Sequence, residues 1–293
     1  MFNLKNNNLI LTVASLTHKG MKRKENEDSF CVLNGNNSPG NTSGLMVVAD
    51  GMGGHVAGEV ASSMAVEGVI KSFDVFLSNE DDLFDKKIKY ATSFLVNSIE
   101  KINSDIYKAS KKPETEGMGT TLSALLFIGN VAVVGHVGDS RIYLLRNNEL
   151  TQITIDHTWV ESEVTQGRLT AEEAMNHPMR NILSRAIGNN DKVKVDTYII
   201  NLKLDDRILF CSDGLNAMLD DSIIKDIIST NKPQQACDLL VENANENGGV
   251  DNITVGVINV DCLSDESLKP INLTKSKGMF KIILDNIIGL FKK

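Results

Sequence analysis

Apolar residues recur along the chain with two spacings, one typical of helices and one of strands. Intervals of three and four residues predict helices at residues 58–76, 83–107, 220–230 and 233–247, and a polar, mostly helical segment at 158–176. Runs rich in β-branched residues predict strands at residues 9–17, 29–33, 46–49, 120–128, 131–137, 141–145, 150–155, 193–202, 207–211 and 253–260. Because strands and helices do not alternate as a β-α repeat, the pattern indicates an α+β fold of packed sheets with helices outside.

One predicted strand ends on a carboxylate that is followed by an almost bare backbone. Residues 46–49 are apolar, and Asp50 is followed by Gly51-Met52-Gly53-Gly54-His55. Glycine lets a polar group approach the main chain closely, and a carboxylate beside an accessible carbonyl suits a hard cation such as Mg²⁺ or Mn²⁺. On this stretch alone, a tight turn with an exposed Asp is the simpler interpretation. The positions of the other carboxylates therefore decide between a turn and a cation site.

Further acids stand in the same local setting, at a strand end or in a loop with Gly, Ser or Asn nearby. They are Asp139, Asp213 and Asp251, with Glu27-Asp28 in the loop before the second strand. Each taken singly is an ordinary turn carboxylate. Several such groups gathered at strand ends would repel one another unless cations compensated them.

Composition and charge narrow the class of protein. With 293 residues, 42% hydrophobic and 23% charged, the chain has an ordinary globular composition, and its net charge of −8 disfavours nucleic-acid binding. We expect reduced thiols at the four scattered cysteines, which are Cys31, Cys211, Cys237 and Cys262. The first ten residues lack the apolar stretch of a signal peptide, and no run reaches the roughly 18–20 apolar residues of a membrane-spanning helix. We therefore expect a cytoplasmic protein.

Six short motifs follow one another along the chain. They are Arg23-x-x-Asn26-Glu27-Asp28, Asp50-Gly51-Met52-Gly53-Gly54-His55, Gly119-Thr120-Thr121, Gly138-Asp139-Ser140-Arg141, Ser212-Asp213-Gly214 and Asp251-Asn252. In this order they resemble the motif set of the metal-dependent (type 2C, PPM) serine/threonine protein phosphatases, and residues 156–188 resemble the bacterial branch. The resemblance covers about residues 9–260. It implies an αββα sandwich, in which two packed antiparallel β-sheets are flanked by helices on both outer faces.

The same resemblance assigns a metal-binding role to five residues. Asp50 would bridge two Mn²⁺ or Mg²⁺ ions, and the Gly51 carbonyl would bind one of them. Asp213 and Asp251 would bind the other ion. Asp139, together with Asp213, would hold a looser third metal.

Other residues would act around the metals. Glu27 and Asp28 would orient metal-bound waters from the outer shell. Arg23 would bind the substrate phosphate with two parallel N–H donors, a geometry that Lys cannot reproduce. Residues 156–191 would form a flap beside the active site that helps to select substrates.

The implied reaction is hydrolysis of phosphoserine and phosphothreonine in proteins by a metal-bridging hydroxide, without a phosphoenzyme. A bacterial serine/threonine kinase would be the opposing enzyme. No cysteine is followed six positions later by Arg, so the signature of a cysteine-nucleophile phosphatase is absent. Many eukaryotic members carry His directly after Asp-Gly as a proposed general acid. Met52 stands there in this chain and His55 is a different position, so the acid remains unassigned.

Three alternative functions were compared with the sequence. A nucleotide loop at residues 51–58 is disfavoured, because no GKS or GKT follows and no GxGxxG fits. A catalytically dead, phosphatase-like binding module would lack a metal-binding Asp, and none of the expected ones is missing. A specialist phosphatase for one regulatory protein stays open.

The tail differs from the rest of the chain. Residues 269–293 contain six Lys and one Asp, and residues 279–293 place most of their apolar side chains on one helical face. A basic amphipathic helix suits an anionic membrane surface or a partner groove, and packing back on its own domain is an equal alternative. We expect a catalytic domain at residues 1–262 and a basic linker with an amphipathic helix at 263–293. Peripheral contact with the inner membrane face is then a second reading of the localisation.

Overall fold

The structure, a computed structural model, describes residues 2–6, 9–34, 42–54, 56–76 and 84–263. The strands are β1 (Phe2–Asn6), β2 (Leu9–His18), β3 (Asp28–Asn34), β4 (Thr42–Met52), β5 (Gly119–Thr120), β6 (Leu122–Ile128), β7 (Val131–Val137), β8 (Arg141–Arg146), β9 (Glu149–Gln152), β10 (Asp196–Asn201), β11 (Arg207–Cys211) and β12 (Ile253–Cys262). The helices are α1 (Val56–Phe76), α2 (Phe84–Ala109), α3 (Trp159–Thr165), α4 (Ala171–Met175), α5 (Asp213–Asn216), α6 (Asp221–Thr230) and α7 (Pro233–Glu246).

The strands form two antiparallel sheets. The first sheet has the order β1-β2-β12-β11-β8-β9, and the second has the order β10-β7-β6-β4-β3, with the short β5 paired to β4. Strand β12, the last of the described strands, therefore lies between β2 and β11, beside the first hairpin. The predicted α+β sandwich of two antiparallel sheets is confirmed.

Three apolar clusters hold four layers together. One lies between the second sheet and helices α1 and α2, one between the two sheets, and one between the first sheet and helices α6 and α7. Strand β4 has an unbroken apolar run because both of its faces are covered. Met46 and Val48 belong to the cluster between the sheets, whereas Leu45, Val47 and Ala49 pack against the helices. Since successive side chains point to opposite faces of a sheet, a strand covered on both faces needs no polar positions.

Several boundaries differ from the prediction. The sequence did not predict β1 or the four-residue α5, and β9 ends at Gln152 instead of continuing to residue 155. The helical segment at 158–176 divides into α3 and α4 around Gly167, whose φ of +71° is unfavourable for other residues. Asn147 and Asn148 have φ of +51° and +63°, the left-handed values that a two-residue hairpin turn between β8 and β9 requires at both positions.

The topology brings the motif loops to one end of the sandwich. Strands β3, β6, β8 and β12 begin at this end, and β2, β4, β7 and β11 finish there. Among the described residues, no helix is long and apolar enough to cross a bilayer. His55 and residues 264–293, including the predicted amphipathic helix, lie outside the described residues.

Candidate active site

The acids of the second sheet face the gap between the two sheets. Asp28 and Asp50 are direct neighbours in the register of β3 and β4. Asp50 continues the series of Met46 and Val48, whose side chains lie between the sheets, because alternate residues of a strand share a face. Both carboxylates are therefore directed toward the ends of the first sheet's strands.

Residues of the first sheet meet Asp28 across this gap. Its Oδ2 accepts hydrogen bonds from Ser212 Oγ at 2.7 Å and from Thr254 Oγ1 at 2.6 Å. Its Oδ1 is buried and has no hydrogen-bond partner in the structure. A buried carboxylate oxygen without a donor is costly, so this atom indicates that a further group, such as a water or a cation, belongs beside it.

Burial and mutual repulsion raise the pKa values of these acids. Burial raises the pKa of Asp28 to about 7, with repulsion from Asp213 and Asp251 acting in the same direction against its two hydroxyl donors. Burial raises the pKa of Asp213 to about 6, and the charge of Asp251 adds to this, while a hydrogen bond with Asp50 acts against it. Burial, followed by repulsion from Asp28 and Asp213, holds the pKa of Asp50 well above its ordinary value. These acids are therefore close enough to resist simultaneous ionisation.

Asp139 reaches the same cluster from the loop between β7 and β8. Burial and then the charge of Asp213 hold its pKa well above the ordinary value. The preceding Gly138 has φ of +113°, and a Cβ there would lie 2.5 Å from the Cβ of Thr121. Glycine is therefore required for this close approach, and Thr121 Oγ1 further ties the loop through a 2.7 Å hydrogen bond with Ser140 Oγ.

Asp251 lies at the rim of the cluster and forms an ion pair with Arg23. Arg23 Nη2 is 2.7 Å from Asp251 Oδ2, and the two side chains are 50% and 31% exposed. The other oxygen, Oδ1, accepts a hydrogen bond from the backbone N–H of Asn252 at 2.8 Å. Half of the Arg23 side chain thus faces solvent, where an incoming anion can reach it.

The amide side chain of Asn252 fixes the loop that carries Arg23 and Glu27. It donates to the carbonyls of Lys19 at 3.0 Å and Glu25 at 2.9 Å, and it accepts from the Glu27 N–H at 2.8 Å. This one residue therefore joins the loop after β2 to the start of β12.

Glu27 lies between the Asp50 loop and the start of α1. Its carbonyl accepts hydrogen bonds from Gly51 N–H at 3.1 Å and Ser62 Oγ at 2.6 Å. A Cβ on Gly58 would come within 1.9 Å of Glu27 Oε2, and one on Gly51 within 2.2 Å of the Gly58 carbonyl oxygen. The glycines around Asp50 therefore let the acidic loop and the helix pack directly against each other.

The donor set suits hard divalent cations. Carboxylate and carbonyl oxygens are the ligands that Mg²⁺ and Mn²⁺ accept, and the open oxygen of Asp28 and the raised pKa values indicate uncompensated negative charge. Within the described residues, however, no three acidic, His or Cys side chains are already grouped tightly enough to hold one ion. The Arg23–Asp251 pair and the Asp50–Asp213 hydrogen bond hold the acids in a different arrangement. Small side-chain rotations would have to accompany metal binding.

The segment predicted as a flap is fastened at its base by His157. The His157 N–H donates to the Gly138 carbonyl at 2.8 Å, and its ring Nδ1 accepts from the Gly138 N–H at 2.9 Å. Since Nδ1 is an acceptor, Nε2 carries the proton and donates to Asp196 Oδ2 at 3.1 Å. Arg185 Nη1 binds Asp196 Oδ1 at 2.9 Å and completes the link.

The structure thus brings Glu27, Asp28, Asp50, Asp139, Asp213, Asp251 and Arg23 to one end of the sandwich, and their roles there stay predictions. Met52 is half-buried there, and its thioether has no proton to donate to a leaving group. The supporting roles of Ser212, Thr254, Asn252 and His157 were not predicted. Ser212 and Asn252 each stand next to a predicted acid, and Ser212 shares the strand face of Phe210, so motif position and strand alternation could have indicated these two.

The sequence of this chain is similar to those of known phosphatases. The family model of protein phosphatase 2C matches residues 22–243. The serine/threonine phosphatase stp of Listeria welshimeri is 40% identical over 245 residues, which cover 82% of this chain and 92% of that protein.

Solved structures give the same result. The serine/threonine phosphatase PstP/Ppp of Mycobacterium tuberculosis superposes with a TM-score of 0.73 and 38% identity, covering 86% of this chain and 99% of the other. A catalytic domain of the serine threonine protein phosphatase PstP in complex with two manganese ions superposes with a TM-score of 0.71 and 36% identity over 86% and 99% of the two chains.

Proposed function

The chain belongs to the protein phosphatase 2C family and is a serine/threonine phosphatase, and from that premise we propose that it hydrolyses phosphoserine and phosphothreonine in proteins with two bound Mn²⁺ or Mg²⁺ ions. The observation that carries the proposal is the cluster of buried and half-buried acids from both sheets, with its open Asp28 oxygen and raised pKa values. The two manganese ions in the related PstP structure support the choice of cation.

Five residues would hold the cations. Asp50 would bridge the two ions, the Gly51 carbonyl would bind one, and Asp213 and Asp251 would bind the other. Asp139, beside Asp213, would hold a third. When bound, these cations supply positive charge at the phosphate and a water molecule whose pKa is lowered toward neutrality.

Outer groups would keep the ligands oriented. Glu27 and Asp28 would accept hydrogen bonds from waters in the site. Ser212 and Thr254 hold Asp28 Oδ2 in place, so Oδ1 is the atom left to take such a bond. Interactions of this kind keep ligand geometry fixed and change metal affinity by about 10–100-fold when removed.

Arg23 would bind the substrate phosphate. Its guanidinium already contacts Asp251 at 2.7 Å, so it can exchange this partner for two phosphate oxygens with little movement. A planar guanidinium matches two phosphate oxygens at once and stabilises charge that develops on them during transfer. The proton donor to the leaving Ser or Thr oxygen stays unassigned, because Met52 cannot serve.

A covalent cysteine intermediate is disfavoured. Burial raises the pKa of Cys31, Cys211 and Cys237 to about 12 each, which leaves almost no thiolate at neutral pH. These three thiols are therefore poor nucleophiles, which fits the proposed direct attack of water on phosphorus.

The finer assignments are also proposals. We place the catalytic domain at residues 1–262 with its flap at 156–191, a serine/threonine kinase as the opposing enzyme, and action in the cytoplasm. We further propose that residues 263–293 contact an anionic membrane surface. Unchanged binding to anionic vesicles after deletion of residues 269–293 would remove that idea.

The decisive experiment measures hydrolysis of p-nitrophenyl phosphate and a phosphopeptide panel with and without Mn²⁺. Wild-type protein should turn over both only with the cation, and Asp213→Asn should lose more than about 100-fold in kcat, since a ligand is replaced by a weaker one. Asp226→Asn, an exposed change on α6, is the matched control and should retain activity. Full activity in Asp213→Asn would refute the metal assignment.

The same assay separates the two alternative functions. No turnover by the wild type would favour a binding module, and turnover of one phosphoprotein alone would favour a specialist phosphatase.

A further inference from the structure

A cleft of about 740 Å³ leads away from the acid cluster. Asp139 and Asp213 line it where it meets the proposed active site, and it extends along α5 to Asp220 and Asp221 at the start of α6. Its opposite wall comes from α3 and α4 of the flap segment. A polypeptide whose phosphorylated residue lies at the acids would therefore have this cleft as a path for the flanking residues.

The outer part of the cleft is lined by more acidic than basic side chains. Asp156 is neutralised by Arg141, which binds it through Nε at 3.0 Å to both oxygens and through Nη2 at 2.7 Å. Beyond this pair and the two acids of the active site, the charged lining residues are Glu161, Asp220, Asp221 and Arg180. Three acids thus face one base.

Two of these acids keep their charge available. Asp220 is exposed and makes no side-chain capping hydrogen bond at the start of α6. Asp221 accepts a hydrogen bond from the Tyr143 hydroxyl at 3.1 Å, and it forms no ion pair with another of the residues that the structure describes. Both carboxylates also stabilise α6, because negative charge is favourable at the positive, N-terminal end of a helix. A difference in turnover between Lys and Ala peptides would not arise from that role.

The rest of the lining fits a long basic side chain. Val160, Val164 and Ala174 present apolar surface, and Met175 beside them is 73% exposed. Lys and Arg pack their aliphatic stems on such surface while their charged ends reach a carboxylate. Asn216, which also lines the cleft, has a buried Oδ1 without a hydrogen-bond partner and so offers an acceptor for a further N–H group.

We propose that this cleft binds the polypeptide next to the phosphorylated residue and selects substrates with Lys or Arg at a fixed distance from it. The proposal rests on the proposed phosphatase function. Asp220 follows Asp213 by seven residues. The four-residue α5 begins this path, and the hydrogen bonds from the N–H groups of Ala217 and Leu219 to the carbonyls of Asp213 and Leu215 keep it nearly as compact as a helix, so it spans roughly 10 Å at ~1.5 Å per residue. An extended substrate advances about 3.3 Å per residue, so the basic residue belongs about three positions from the phosphorylated one.

The test compares phosphothreonine peptides that carry Lys or Ala three positions before, or three positions after, the phosphorylated residue. On one of the two sides, wild-type protein should show about three- to tenfold higher kcat/KM for the Lys peptide, and added salt should shrink this ratio. Asp220→Lys should bring the ratio to one or below. Asp226→Lys, the same charge change at an exposed position of the same helix outside the cleft, should keep the wild-type ratio. A wild-type ratio of one on both sides, or an unchanged ratio in Asp220→Lys, would overturn the proposal.

Failure of the cleft and failure of the phosphatase function give different results. Mn²⁺-dependent turnover of p-nitrophenyl phosphate by wild-type protein reports on the function alone, because this small substrate has no flanking residues. If that turnover were absent, fluorescence anisotropy of the labelled Lys and Ala peptides would measure the same preference as a ratio of dissociation constants. Equal binding of both peptides would then reject the cleft.

Discussion

Asp28 shows how single residues build the site from two separate sheets. Its Oδ2 is held by Ser212 and Thr254 of the opposite sheet, whereas its buried Oδ1 has no partner. Hydrogen bonds to a charged group contribute about 1.5–3 kcal/mol each, yet burial and neighbouring acids still raise the pKa of Asp28 to about 7. The two hydroxyl donors therefore fix the position of the Asp28 carboxylate, but they do not make up for the cost of charging it in this buried, acidic site.

These pKa shifts predict that divalent cations stabilise the fold more strongly as pH rises. The pKa values of Asp28 and Asp213 are raised from 3.8 to about 7 and about 6, so between pH 4 and 7 the native state holds protons that the unfolded chain releases. Cation-free protein should then lose stability as pH rises, by up to about 1.4 kcal/mol per pH unit for each group. Bound Mn²⁺ replaces these protons, so the increase in Tm on adding Mn²⁺ should be clearly larger at pH 7.5 than at pH 5.

A second buried group, His136, also changes stability with pH, but it does not affect the comparison of Mn²⁺ with EDTA. The pKa of His136 is lowered to about 3 by burial and then by His157, so its contribution to stability falls as pH drops below 6.5. That effect is the same with and without Mn²⁺ and cancels in the difference. Thermal unfolding with Mn²⁺ or EDTA measures the difference, and an equal shift in Tm at both pH values would contradict the prediction.

Individual acids were easier to predict from the sequence than their supports. Asp50, Asp139, Asp213 and Asp251 each follow or precede an apolar run and stand beside Gly, Ser or Asn, and the family resemblance placed them in one site. Ser212 and Asn252 stand in the same motifs, and Thr254 does not. None of the three shows locally which group it binds, because their partners lie more than 180 positions away in the chain or, for Asn252, more than 220.

The base of the flap is joined to the β7–β8 loop through the side chain and the backbone of one residue, His157. His157 binds both the N–H and the carbonyl of Gly138, the residue before Asp139, and pairs with Asp196 at the start of β10. Arg185 from the far end of the flap pairs with the same Asp196. Although burial acts in the opposite direction, His157 and Arg185 together hold the pKa of Asp196 below its ordinary value. The flap and the Asp139 loop therefore depend on a common network.

We expect substitutions of His157 to separate two parts of this network. His157→Ala leaves the buried Gly138 N–H without an acceptor and should lower the free energy of unfolding by about 1–3 kcal/mol from that loss alone. His157→Asn offers a side-chain oxygen at a similar position to Nδ1 and should recover part of the loss, although it cannot reach Asp196. Urea unfolding measures both values, and an equal loss in the two variants would show that the Gly138 hydrogen bond contributes nothing.

Elements with a clear apolar period matched the prediction, whereas α5 and β1 were not predicted. Helices α1 and α2 were predicted to within two residues at each end, because each has several apolar positions at helical spacing. The four residues of α5 are too few to show any period, and β1 is a mixed sequence, Phe-Asn-Leu-Lys-Asn, that pairs only with β2 at the sheet edge. Their structure depends on contacts with neighbouring elements that no local pattern encodes.

For the molecule as a whole, the sheet order could not be read from local patterns. Strand β12 pairs with β2, more than 230 positions earlier, and β10 pairs with β7 across the flap. Such pairings follow from the fit of buried faces between distant segments. Local patterns predicted packed sheets with outer helices, and only the family resemblance indicated two sheets with the motif loops in one site.

The most direct measurement is calorimetric titration of Mn²⁺ into cation-free protein. Wild-type protein should bind at least two ions per chain, and Asp50→Asn should lose high-affinity binding because the shared ligand between the ions is weakened. Asp226→Asn, exposed and distant from the acids, should bind like the wild type. Wild-type stoichiometry and affinity in Asp50→Asn would contradict the convergence of these acids on a pair of divalent cations.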